Sequence, residues 1–532
     1  MTMINRRSLL LAGLGLAGTG VLAACSGSAP SSGSPSLLSP SGGAVAEAES
    51  RRRNTGREKT VTLTATTGSM DLGGRSVQTW MYADLPRGGL RLSAGDTMVA
   101  TLNNHLPSAT SVHWHGLALR NDMDGVPPVT MRPVQSGTAF TYRFIAEQPG
   151  TYWFHPHSGV QLDRALHGPL IVEDPKEPLA YDAEWVVVLD DWLDGVTGTP
   201  DQVLAELRKG MGGMAMSGTP SSSPDGMDMN GMGGMDMGGG VSASPSAGGT
   251  AGMPSFMLMG ATSKLLGGDA GDVNYPYHLV NGRLATAPDV YQAKPGTRVR
   301  LRIINAGGDT AYRLALGSHR MTITHTDGYP VQHEEVDALL LGMGERYDVL
   351  VTLKDGVFPL TALAEGKNAV GMALVRTGSG TAPSPTTRPA ELDGRILAST
   401  DLRADDSVQL PAKKIDRTHR IDLTGGMATY DWALNGKSFD MNNPTANPFT
   451  VGSGERVRLQ FVNRTTMWHP MHLHGHTFQT GARGPRKDTV IVLPGATVEC
   501  DFEADNPGQW LTHCHNLYHG ESGMMGLVAY TA

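Results

Sequence analysis

The stretch WLTHCHNLYHGESGM at residues 510–524 limits this chain more than any other. Cys514 is flanked by His513 and His515, with His519 and Met524 close behind. Thiolate, imidazole and thioether form the donor set of an electron-transfer copper site: two His, one Cys and a long axial Met. Cys514, His519 and Met524 provide three of those donors, so one His must come from elsewhere. In an extended segment alternate side chains face opposite ways. Cys514 then faces one side, and His513 and His515 face the other, toward a second metal centre. Taken alone, the Cys514/His519 spacing also suits zinc, and a buried core strand would carry the same residues. The rest of the chain has to decide.

The 532 residues, 39% of them hydrophobic, suffice for about two to four domains. Low aromatic content and 68 glycines fit a turn-rich β protein or some low-complexity sequence. A net charge of −8 argues for solubility and against a nucleic-acid surface. The three cysteines are Cys25, Cys500 and Cys514. With Cys514 on metal and Cys25 processed, Cys500 has no intramolecular partner, so no disulfide framework is expected.

Residues 1–24 read as an export signal. Arg6 and Arg7 precede a Gly-rich apolar stretch too short and too weakly hydrophobic to span a membrane, and the pattern resembles a twin-arginine signal. The sequence LAAC ending at Cys25 resembles a bacterial lipobox, which would make Cys25 the lipid-bearing mature N-terminus, anchored on the outer face of the membrane. Residues 25–56, rich in Ser, Gly, Pro and Ala, read as a flexible tether.

From residue 57 to 176, short β-branched runs alternate with Gly, Pro and Asn turns, as in a sandwich or barrel. This block holds HWHG at residues 113–116 and WFHPH at 153–157. In a strand, His113 and His115 share a face, and so do His155 and His157. A second β-rich block spans residues 177–378, and its histidines lack paired spacing. Within it, residues 209–259 carry eleven methionines among Gly, Ser and Asp. Without apolar periodicity this insertion reads as a mobile surface loop. A neutral linker would be built from Gly, Ser and Pro, whereas thioethers select Cu(I), so copper capture is the favoured reading. The third block, residues 379–532, holds WHPMHLHGH at 468–476. His472 and His474 form another H-x-H pair, and His469 has the opposite parity.

Four H-x-H pairs, two from the first block and two from the third, thus stand beside a separate set of His469, Cys514, His519 and Met524. Through HWHG, WFHPH, HPMHLHG and HCHNLYHGESGM the chain resembles the multicopper oxidases from about residue 57 onward. The resemblance implies an all-β protein of three cupredoxin-like Greek-key sandwiches, with a trinuclear copper cluster between the first and third. It implies four copper ions. Type 1 copper would take His469, Cys514, His519 and Met524, and type 2 copper His113 and His472. One type 3 copper would take His115, His155 and His515, the other His157, His474 and His513. Electrons from substrate would pass from Cys514 to its neighbours His513 and His515 and reduce O2 to water. Asp124 matches the family's acid near the cluster. Glu521 is a second proton-relay candidate, although many relatives carry the acid where this chain has Gly520.

Fold alone does not choose the reductant. Met467 matches a methionine that passes Cu(I) electrons to type 1 copper in copper-resistance oxidases, while Thr465 stands where those enzymes carry an acid. With the Met-rich insertion, this favours an exported, lipid-anchored oxidase of Cu(I). A laccase acting on phenols is the alternative, and a copper-sequestering surface protein is an alternative of another class.

Overall fold

The computed structural model describes residues 36–86, 88–211 and 255–532. The export signal, Cys25 and residues 212–254 of the Met-rich insertion lie outside the described residues.

Residues 37–532 form one compact unit built from three pairs of facing sheets. The first pair joins a four-stranded sheet centred on Glu58–Asp71 and Asp96–Asn104 to another that contains His113–His115 and Gly150–His155. Trp114, Tyr142, Phe144 and Phe154 fill the space between them. Two six-stranded sheets make the second pair. The third pairs a six-stranded sheet with a five-stranded one that holds His469–Leu473 and Gln509–Cys514 side by side. The period-two pattern does the folding work, since inward residues of each strand enter a common core while outward ones stay polar. In Glu58–Asp71, for example, buried Leu63 and Ala65 alternate with exposed or half-buried threonines.

Three boundaries differ from the sequence reading. Residues 37–56, expected to belong to a flexible tether, are ordered and packed on the body. Leu37 bridges to Thr531, and helix α1 (Gly43–Ser50) buries Val45. The helix-forming run AVAEAES is reinforced by Glu47–Arg51 at 2.7 Å and Glu49–Arg52 at 2.8 Å. Arg52 also donates to Asn506, and the Ile145 amide donates to Glu49, so the arm touches the first and third sandwiches at once. The second sandwich continues past residue 378, because Ile396–Leu397 pairs in parallel with Ala338–Leu341. The insertion expected at residues 209–259 is pinned at both described ends. Helix α2 (Pro200–Leu207) runs up to its start, the Met211 amide donates to Met427 O at 3.2 Å, and on the return side Ser255 Oγ and the Phe256 amide donate to Glu206. Met257, counted with the mobile loop, is a buried core residue bridged to Val273.

Candidate metal centre

Strand register brings the histidine pairs together. His113 lies opposite His155 and His115 opposite Trp153 in the first sandwich, while His472 lies opposite His513 and Met471 opposite Cys514 in the third. His472 and His513 therefore face the first sandwich. Cys514 and His469 turn into the third sandwich's own core.

In that core, Nδ1 of His469 and Nδ1 of His519 approach to 3.1 Å, and Cys514 Sγ lies 3.6 and 3.8 Å from them. All three side chains are fully buried. Their outward nitrogens are held: His469 Nε2 donates to Thr465 Oγ1 at 2.8 Å, and His519 Nε2 to Asp272 Oδ2 at 2.9 Å. Holding Nε2–H leaves each Nδ1 lone pair aimed at one point. Trp432 covers His519 with ring centres 4.1 Å apart. Met524 is placed by main-chain bonds, its amide donating to His519 O and its carbonyl accepting from the Cys514 amide, both at 3.0 Å. Burial pushes the Cys514 thiol well up, so a thiolate there requires a cation beside it. Met467 is buried in the same core.

The eight histidines of the four H-x-H pairs form a second cluster between the first and third sandwiches. Donor atoms of His115, His155 and His515 lie within 4.8 Å of one another, as do those of His157, His474 and His513, and those of His113, His115 and His472. Outward nitrogens are again occupied by protein oxygens. His113 Nδ1 meets Asp124 O at 2.8 Å, His155 Nδ1 meets Pro156 O at 2.9 Å, and His472 Nδ1 meets Asp488 O at 2.8 Å. His513 Nδ1 meets Cys514 O at 2.9 Å, and His115 Nε2 meets Asp488 Oδ1 at 3.0 Å. The Asp124 carboxylate bridges two histidines, 3.2 Å from His113 Nδ1 and 3.0 Å from His474 Nδ1.

The inward nitrogens are what a metal would satisfy. Nε2 of His113, His155 and His472 and Nδ1 of His115 are buried without a hydrogen-bond partner, and so are both ring nitrogens of His515, one of which can face inward. Each such atom costs about 1–3 kcal/mol. Burial, helped by neighbouring imidazoles, holds down the pKa values of His115, His155, His157, His472, His474, His513 and His515, with His513 pushed to about 3. These rings are neutral at ordinary pH and keep their lone pairs free. The donor set and its orphaned nitrogens fit copper in both places.

Glu521 lines a cavity of about 20 Å³ with His155, His157, His513 and Leu517, room for about one water. With His157 and Gly159 it also lines an outer cavity of about 480 Å³. Burial raises the Glu521 carboxyl to about 7.

Asp272 and Asp488, which hold outward nitrogens of His519, His115 and His472, were not legible in the sequence. Neither lies near its histidine in sequence, and no local motif marks it.

Three family profiles, each described as multicopper oxidase, match residues 64–177, 183–380 and 414–532. The chain is 45% identical to multicopper oxidase MmcO of Mycobacterium tuberculosis, over 99% of this chain and 96% of the relative. It belongs to the multicopper oxidases. The copper resistance protein A homologue of Pseudomonas syringae pv. tomato is 29% identical over 82% of this chain and 86% of its own. The crystal structure of the multi-copper oxidase from Pseudomonas thermotolerans superposes with a TM-score of 0.63 at 25% identity, covering 89% of this chain and 99% of that one. The protein is accordingly a copper-dependent oxidoreductase with cupredoxin-like sandwiches.

Proposed function

We propose that this multicopper oxidase oxidises Cu(I) to Cu(II) at the cell envelope, with O2 as acceptor. One observation carries the reading. The Met-rich insertion returns to the body beside the Cys514 site: the Leu258 amide donates to Asp272 O at 2.7 Å, and the carboxylate of that same Asp272 accepts from His519. Thioethers that hold Cu(I) weakly thus join the chain one residue contact from a type 1 ligand. The full burial of His469 and His519 adds support, because a phenol ring has no exposed imidazole edge to stack on, whereas an electron needs only a short bonded path.

In this reading, type 1 copper takes His469, Cys514, His519 and Met524, type 2 copper His113 and His472, and the type 3 pair His115/His155/His515 and His157/His474/His513. Copper held there would supply one-electron redox chemistry, through which four electrons gathered singly, with four protons, would take O2 to two waters. The chain's own residues prepare that chemistry. Cys514 is peptide-bonded to His513 and His515, so one short stretch belongs to both sites. Asp124 fixes the His113 and His474 rings and stands as a proton acceptor at their Nδ1 atoms. Glu521 holds a proton at its carboxyl between the outer cavity and the histidines.

The test is steady-state O2 uptake with Cu(I) or a phenol as sole reductant, with and without residues 210–252. The deletion is expected to slow Cu(I) oxidation at low substrate, while phenol oxidation holds or rises. Equal loss on both substrates would assign the insertion a folding role, and no loss on either would make it a linker. Failure to consume O2 with Cu(I) would favour sequestration.

A further inference from the structure

The second sandwich contributes none of the clustered histidines, yet one of its loops reaches them. At Gly344 a Cβ would stand 2.9 Å from His515 Cδ2 and 3.1 Å from His115 Cε1, so the main chain lies directly against two imidazoles. Two residues on, fully buried Arg346 crosses into the third sandwich. Its Nη1 and Nη2 meet Asp488 Oδ1 and Oδ2 at 2.7 and 2.6 Å, a two-pronged grip that only a guanidinium makes. Its Nε donates to Thr151 O of the first sandwich at 3.1 Å.

Asp488 in turn faces the cluster. Its Oδ1 accepts from His115 Nε2 at 3.0 Å and lies 3.4 Å from His472 Nδ1. Behind the pair, Lys487 Nζ contacts Asp327 at 3.0 Å and Glu345 at 3.1 Å, and Asp327 accepts the amides of Arg346, Asp488 and Thr489. All five charged side chains are fully buried. Two cations, Arg346 and Lys487, stand against three carboxylates, Asp327, Glu345 and Asp488. The ion pair also accounts for the glycine of HWHG: at Gly116, with φ +90°, a Cβ would come within 2.4 Å of Arg346 Nη2 and 2.7 Å of Asp488 Oδ2.

We infer that Arg346 is a positioning residue for the trinuclear site, its guanidinium fixing the Asp488 carboxylate between His115 and His472, so that the second sandwich sets the geometry around a type 2 ligand, His472, and a type 3 ligand, His115. The inference rests on the assignment of His113 and His472 to that metal. A purely structural Arg346 would glue three sandwiches together, and its loss would lower thermal stability without touching the type 2 centre.

The test uses the full copper-loaded chain and Arg346→Met, Asp488→Asn, the double variant and Arg346→Lys. Readouts are copper per chain, the type 2 electron paramagnetic resonance signal, the rate of type 2 copper loss to a chelator, and the blue type 1 band as internal reference. Outer-shell partners of metal ligands are worth roughly 10- to 100-fold in metal affinity. Arg346→Met is expected to speed type 2 loss by roughly that factor and alter the type 2 signal, with the type 1 band retained. Because Arg346 acts through Asp488, the double variant should be no worse than Asp488→Asn alone. Arg346→Lys, which keeps the charge without the fork, should fall in between and serves if Arg346→Met does not fold. An unchanged type 2 signal and loss rate in Arg346→Lys and Arg346→Met, or strictly additive losses in the double variant, would overturn the inference. His472→Ala is the control: if it keeps the type 2 signal, the ligand assignment itself is wrong and the inference goes with it.

Discussion

Replacing Asp272 by Asn tests how the type 1 site is tuned. Asp272 Oδ2 accepts from His519 Nε2 at 2.9 Å and from Tyr430 Oη at 2.8 Å, so the carboxylate sits one imidazole away from the point shared by His469 Nδ1, His519 Nδ1 and Cys514 Sγ. One hydrogen bond, one ring and a metal–nitrogen bond of about 2 Å put its charge roughly 6–7 Å from a copper ion there. At an effective dielectric constant of about 20, a unit charge at that distance is worth about 2.5 kcal/mol, or about 100 mV for one electron. The negative charge favours the oxidised, more positive copper. Asp272→Asn should therefore raise the type 1 potential by about 100 mV. The isosteric amide keeps an acceptor for His519, so the blue band should persist. Spectroelectrochemical titration of that band measures the shift directly. A potential that moves by less than about 30 mV, or moves downward, would refute the electrostatic reasoning, and loss of the band would mean that Asp272 holds the ligand geometry rather than its charge.

Cys514→Ser should remove the blue charge-transfer band and oxidase turnover while circular dichroism stays that of a folded β protein; residual blue colour would put type 1 copper elsewhere. Glu521→Gln leaves the small cavity's shape intact but cannot release a proton, so O2 reduction should slow by roughly 10²-fold or more while anaerobic reduction of the blue centre by substrate keeps its rate. Equal slowing of both steps would deny Glu521 a proton role. Cys25→Ala should release the protein from the membrane fraction or leave its precursor uncleaved; an unchanged, membrane-bound mature form would contradict lipid attachment at Cys25.

The histidines were legible because strand geometry is simple. A period of two puts both members of an H-x-H pair on one face, and the opposite parity of His469 and Cys514 sends them to the other. Grouping the rings by metal came from the family resemblance alone, since the register sets His472 opposite His513, two rings that the grouping gives to different coppers. The arm at residues 37–56 was misread because Ser, Gly and Pro elsewhere in the stretch masked a short run of strong helix formers with Glu–Arg pairs. Asp272 could not be read at all. It lies 247 residues from His519, in a block whose ligand-free composition gave no reason to look there.

That distance separates two kinds of information in the chain. The proposed copper ligands sit in the first and third sandwiches, in compact motifs where a one-residue shift would turn each pair to the wrong face. Thr465, Asp124 and Asp488, from those same two sandwiches, hold several of the rings, but the second sandwich adds two charged groups of its own: Asp272 on His519, and Arg346 through Asp488 on His115. Removing a ligand forfeits the metal, whereas altering Asp272 or Arg346 changes only the field and aim of an intact donor set. A protein arranged this way can change its potential, and with it the reductants it accepts, by substitutions in the middle sandwich alone. The Met-rich insertion enters through that same sandwich and returns past Glu206 to Asp272, so that in the proposed Cu(I) reading a change in captured substrate and a change in potential would act beside one residue.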